Sequence, residues 1–221
     1  MEHIQSFERY SVQQISEPAK KQEIVDYLKS KLGFTNFSYL SSGMNGIAFL
    51  IDSNKVLKVT TDRSEAVECS KIKGKKMKHL ADIYNVFALK GEYEGLFVIV
   101  LEYLRISPAI KDGYKSIKKI FSKHFNYRYG RLSEFLDEYS HKMVKPEELQ
   151  IVCSKIAESG LDDFFNQLLQ IVNELKAYSI SSIDYTNFNN LGYKPDGSLA
   201  YFDMGFGDEN GELVYLERIK I

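Results

Sequence analysis

Residues 37–60 read "FSYLSSGMNGIAFLIDSNKVLKVT". "IAFLI" and "VLKVT" are short β-rich runs, and the "DSNK" between them is turn chemistry, which predicts a hairpin. Just upstream, Gly43 and Gly46 lie between two predicted strands. A turn without Cβ atoms can bring backbone N–H groups close to a phosphate, and a plain glycine-containing hairpin uses the same residues. Further on, Lys58 stands between Leu57 and Val59. An unpaired ammonium is costly to bury. Lys58 therefore either points to solvent from an alternating strand or meets a carboxylate and a ligand phosphate. Glu65 and Glu68, one helical turn apart in the next segment, are the available partners.

The flanking sequence extends this pattern. "SEPAKKQEIVDYLKSKLG" (16–33) predicts a helix with Ser16 as cap, Pro18 in the first turn, and a stripe of Ile24, Val25, Leu28 and Leu32 ending at Gly33. "TDRSEAVECSKIKGKK" (61–76) opens a second helix, where Asp62 and Glu65 have capping-box spacing. Two more strands are predicted at "DIYNVFALK" and "GLFVIVLEYL", joined by "GEYEG". Beyond Leu104 the pattern is helical to about Ile180. Its clearest member is "LDDFFNQLLQIVNELKAYS", with Leu161, Phe164, Phe165, Leu168, Ile171, Val172 and Leu175 at helical spacing. A last hairpin, "NNLGYKPDGSLAYFDMG", turns at Pro195-Asp196-Gly197. The expected fold class is α+β: a sheet-rich lobe over 1–104, then a mainly helical lobe over 105–221.

Composition excludes several classes. The chain has 221 residues, 44% hydrophobic and 27% charged, with formal net charge −1, so no global field points to nucleic acid or anionic membrane. The longest apolar run is too short to span a bilayer, and "MEHIQSFERY" has no signal-peptide pattern. Cys69 and Cys153 lack metal-ligand spacing and suggest no disulfide framework, so a cytoplasmic location is expected. His79, His124 and His141 show no metal-ligand spacing either.

Near the C-terminus, Asp184 and Asn189 are five residues apart and Asp203 follows the predicted "LAYF" strand. Carboxylate and amide oxygens suit Mg²⁺, a hard ion that bridges to phosphate. The same residues also build Asx-rich turns. What singles them out is order: glycine loop, strand lysine, helix glutamate, Asp-x-x-x-x-Asn, hairpin, Asp-x-Gly.

In that order the chain resembles the protein-kinase-like superfamily, which includes the aminoglycoside phosphotransferases, over roughly residues 37–206. "SSGMNG" is similar to its glycine-rich loop, with Ser41 where the first glycine usually stands. "VLK" resembles the strand motif of the phosphate-binding lysine, and "VLEYL" the hinge, with Leu101 as gatekeeper. "SIDYTNFNNL" resembles the catalytic loop, and "FDMG" the metal-binding Asp-Phe-Gly.

The resemblance implies a bilobal kinase-like fold that binds ATP and Mg²⁺. Asp184 would orient the accepting hydroxyl, and Lys58 would contact the α/β-phosphates. Asn189 and Asp203 would be metal ligands. Ser42, Gly43, Met44, Asn45 and Gly46 would cover the nucleotide, Glu102 to Leu104 would offer backbone groups to adenine, and Glu65 is preferred over Glu68 as the partner of Lys58. Ser182-Ile183 replaces the usual His-Arg, which argues against control by a phosphorylated loop. With only 18 residues after Asp203, a minimal variant without activation segment and later helices is expected.

The leading functional expectation is a kinase acting on protein Ser/Thr hydroxyls. The alternatives are a nucleotide-binding pseudokinase regulating a protein partner and a small-molecule phosphotransferase. Residues 111–131 hold seven Lys/Arg against one acid, with interleaved aromatics. They fit an acidic protein or nucleic acid, or simply a solvated basic helix face, which is the preferred reading; a nucleic-acid partner is not expected.

Overall fold

The structure is a computed structural model that describes residues 11–180, 187–205 and 213–214. The chain divides into two compact units, one of Met1–Lys76, Asp82–Tyr103 and Met204–Ile221, the other of Met77–Ala81 and Leu104–Asp203.

In the first unit, α1 (Val12–Ser16) and α2 (Pro18–Leu32) precede β1 (Ser38–Ser42), β2 (Gly46–Asp52) and β3 (Lys55–Thr60). Then come α3 (Arg63–Ile72), β4 (Ile83–Ala88) and β5 (Phe97–Glu102). The five strands form one sheet in the order β1-β2-β3-β5-β4, with every neighbouring pair antiparallel. The "DSNK" turn joins β2 to β3 at Ser53-Asn54.

Helix α2 buries Ile24, Val25, Leu28 and Leu32. They share a core with Ile47, Phe49, Ile51, Leu57, Val59, Val98 and Val100 of the sheet. Each such side chain contributes about 1.5–3 kcal/mol of burial. Gly33 ends α2 in the left-handed conformation, φ 72°. Its N-cap is Glu17 rather than Ser16, because Ser16 is the last residue of α1.

Side chains alternate along a strand. With Leu57 and Val59 facing the α2 core, Lys58 must face the opposite side. There α3 packs, against β4 and β5.

The second unit holds α4 (Pro108–His124), α5 (Asn126–Tyr129), α6 (Leu132–Ser140), α7 (Pro146–Ala157) and α8 (Asp162–Ala177), then the hairpin of β6 (Leu191–Tyr193) and β7 (Leu199–Tyr201). An aromatic cluster of Phe121, Phe125, Tyr129, Phe135 and Phe165 knits α4, α5, α6 and α8. Hairpin β6–β7 is flanked on both edges. Arg105 and Tyr193 exchange both backbone bonds at 2.9 Å, and Leu80 bridges Tyr201 in parallel. Gly192 is required where it stands, since a Cβ there would strike the Leu104 side chain. Among the described residues no helix is long and apolar enough to cross a membrane.

Candidate active site

Each unit carries part of the expected constellation. In the first, Lys58 Nζ forms an ion pair with Glu65 Oε1. Glu65 is buried, 2% exposed, while Lys58 keeps 23% of its side chain open. The arrangement follows from local rules. Asp62 caps α3, its Oδ1 accepting from the N–H groups of Ser64 and Glu65, and this fixes the first turn so that Glu65 faces β3. The expected capping box is not closed by Glu65. Its carboxylate turns to Lys58, and the Asp62 N–H donates to Thr60 Oγ1. Glu68 turns to Lys71 instead, at 2.7 Å.

The glycine loop is tied to the same junction. The Asn45 carbonyl accepts from Thr61 N–H at 2.8 Å and from Thr60 Oγ1 at 3.0 Å. Asn45 Nδ2 donates to Asp62 Oδ2 at 3.1 Å. Gly43 N–H donates to the Gly46 carbonyl at 2.8 Å, closing the turn. Ser42, Gly43 and Met44 are exposed, Met44 at 87%. Gly46 is glycine for a packing reason: a Cβ there would collide with the Val59 carbonyl oxygen of the neighbouring strand. Gly43 has open space around it. Gly205 also reaches Asp62, its position for a Cβ lying 3.3 Å from Oδ2.

At the end of β5 the backbone N–H groups of Glu102 and Tyr103 are both engaged. Glu102 N–H donates to the Asp82 carbonyl at 2.9 Å, and Asp82 N–H donates back to Glu102 Oε2 at 3.3 Å. Tyr103 N–H donates to the Asn54 carbonyl at 2.8 Å. Asp82 is itself buried and accepts from Lys76 Nζ at 2.9 Å, a hydrogen bond that raises the lysine pKa. Glu102 thus clasps the entry to β4. Leu104, in the second unit, is buried beside Gly192.

In the second unit, Asn189 is exposed in the short 3-10 turn Phe188–Asn190, where its N–H donates to Asn187 Oδ1. Asp203 is part-buried. The hairpin register pairs Leu191 with Tyr201, so Asn189 and Asp203 each lie two residues beyond the same rung. Phe202 N–H donates to the Asn190 carbonyl at 3.1 Å and holds the two ends together. Their oxygens are hard donors of the kind Mg²⁺ takes. No group of three or more His, Cys, Asp or Glu side chains suited to a metal occurs among the described residues. Asp184 lies outside the described residues.

Two supporting groups had no clear sequence signal. His79 is buried, with Nδ1 3.0 Å from the Leu199 carbonyl, and its backbone N–H donates to Glu174 Oε2 at 3.0 Å. Lys194, also buried, donates from Nζ to the Met77 carbonyl at 2.7 Å. Partners about a hundred residues apart leave no periodicity to read.

No protein-family model and no curated protein matches the chain. Among solved structures, the streptomycin-ATP-APH(2")-IIa ternary complex is similar over 85% of this chain and 72% of its own, at 15% identity and TM-score 0.34. A likeness that shallow does not by itself establish a shared fold.

Proposed function

We propose that the chain is an ATP/Mg²⁺-dependent phosphotransferase of kinase-like design, moving the γ-phosphate to a hydroxyl. The Lys58–Glu65 pair is the observation that supports it. A buried carboxylate on the first turn of α3 holds an ammonium that is still part-exposed. Such a cation is positioned by a buried carboxylate while part of its side chain stays open to solvent, which suits a phosphate contact.

Phosphoryl transfer needs alignment and charge neutralisation more than covalent help. In this reading Lys58 binds the α/β-phosphates and Glu65 fixes its position. The turn at Gly43–Gly46, anchored through Asn45, covers the phosphates. Asn189 and Asp203 are the groups that would hold Mg²⁺, which when bound neutralises phosphate charge. Asp184 orients the accepting hydroxyl and takes up its proton.

The test is thermal stabilisation by ATP with Mg²⁺, together with label transfer to protein Ser/Thr and small-molecule hydroxyl acceptors. Stabilisation and transfer, both lost in Lys58→Met, are expected. Stabilisation without transfer to any acceptor would replace the enzyme by a nucleotide-binding regulator, and absence of both would overturn the reading.

A further inference from the structure

Helix α4 carries Lys111, Lys115, Lys119 and Lys123, each four residues after the last, with Lys118 beside them. Residues four apart on a helix lie on one face, about 6 Å apart along the axis. The four therefore make one row about 18 Å long that slants across the solvent side of the helix. All five ammonium groups are on exposed residues. Lys111 and Lys118 lean over the Phe188 and Tyr114 rings, and among the described residues none of the five pairs with a carboxylate. Asp112 is the sole acid on the helix.

Like charges at four-residue spacing disfavour a helix. Lys123 complements the C-terminal end of the helix, but the row takes no part in docking α4, which packs through Ile110, Gly113, Tyr114, Ile117 and Phe121 on its other face. A pocket of about 380 Å³ lies along the ladder's C-terminal half, lined by Ser116, Lys119, Ile120, Lys123, Ser159 and Leu161 among others. His124 joins it to a second hollow that exposes Tyr127 and Ile151. The acids next to the pocket residues Ser159 and Leu161 are Asp162 and Asp163, which open α8, and Glu158, which lines the second hollow and is paired with Lys155.

We propose that this face docks an acidic, amphipathic segment of a protein partner. Its carboxylates would meet the lysine ladder, and its apolar side chains would seat against Ile120 and Leu161. Charge complementarity carries the choice of occupant. Single-stranded nucleic acid is read by aromatic platforms interleaved with cations. Here Tyr114, Phe121, Phe125 and Tyr129, which alternate with the basic residues in sequence, are all buried. Tyr127 is the one exposed aromatic of residues 111–131, and part-buried Phe188 already lies under Lys111, so no run of rings alternates with the ammonium groups. It contains no arginine, the residue suited to bidentate phosphate contacts.

The experiment is fluorescence anisotropy of labelled poly-L-glutamate against the full chain, at ionic strengths of about 0.01 M and about 0.15 M. Binding should weaken at the higher salt and fall by at least about tenfold in Lys115→Glu/Lys119→Glu/Lys123→Glu. The control Lys73→Glu/Lys78→Glu/Lys142→Glu changes net charge equally at other exposed lysines and should bind nearly as the parent does. Circular dichroism and melting confirm that both variants fold. No binding at low salt, equal loss in the two variants, or tighter binding of single-stranded or duplex oligonucleotides of matched charge overturns the proposal. Nucleotide turnover plays no part in the readout, so the docking face stands or falls apart from the phosphotransferase reading.

Discussion

Asn45 Nδ2 donates to Asp62 Oδ2 across 3.1 Å, so the tip of the glycine loop is tied to the residue that caps α3. One aspartate thus holds the loop with one oxygen and, with the other, the first turn that presents Glu65. Asn45→Ala removes the side-chain tie and leaves the Asn45 carbonyl bonds in place. We expect a severalfold rise in KM for ATP, a smaller change in kcat, and a stability loss of about 1 kcal/mol. Steady-state kinetics and denaturant melts check this. An unchanged KM would remove the loop from nucleotide binding.

Lys58 and Glu65 allow stability to be separated from function. Lys58→Met leaves a carboxylate that is 2% exposed without its ammonium, and breaking such a pair costs about 3–5 kcal/mol. Replacing both, as Lys58→Met/Glu65→Leu, should recover most of that loss in urea melts, because an apolar pair needs no desolvated charge. Phosphate transfer should stay absent in the double variant. Activity restored along with stability would make the pair purely structural.

Gly46→Ala tests why that glycine is there. Its Cβ would meet backbone, the Val59 carbonyl, which has no flexible end to swing away. We expect destabilisation of about 2–3 kcal/mol. Gly43→Ala, with open space around it, should be close to neutral in the same melts.

The turn of the β6–β7 hairpin has a pH signature. Ser198 donates its hydroxyl and its N–H to Asp196 Oδ1, at 2.6 and 2.9 Å, and these bonds hold the carboxyl below its ordinary range. A depressed folded-state pKa stabilises the protein above the unfolded carboxylate pKa of about 3.9, and the contribution is lost as pH falls through the folded value. Asp196→Ala should therefore lower the melting temperature at pH 7 and flatten its fall on the acid side. A parallel acid limb would show that the turn does not depend on this ionisation.

Where the sequence could be read, the signal was local. Alternation in "IAFLI" and "VLKVT", the "DSNK" turn and the Pro195-Asp196-Gly197 turn reported their own geometry, because strand period and turn chemistry act over a few residues. The Lys58 partner remained open in sequence, since Glu65 and Glu68 differ only by one helical turn. The Asp62 cap settles it by fixing where α3 begins. Ser16 does not cap α2, because a short helix ends on it, which its cap-like position in the sequence does not reveal. The Asn45–Asp62 tie spans 17 residues and joins a turn to a cap, so no period encodes it. In sequence, the interleaved aromatics of residues 111–131 fit an acidic protein or nucleic acid as well as the preferred solvated basic face. Only the folded helix shows those of α4 and α5 to be core, apart from Tyr127, which is exposed.

Phosphate transfer is read from incorporation of label from γ-labelled ATP with Mg²⁺. The parent chain is compared with Asp184→Ala and Asp203→Ala, on the protein itself and on protein and small-molecule hydroxyl acceptors. A phosphotransferase built on these residues gives incorporation by the parent, and a loss of at least about 100-fold in each variant with folding intact. Incorporation unaffected by either substitution would contradict it.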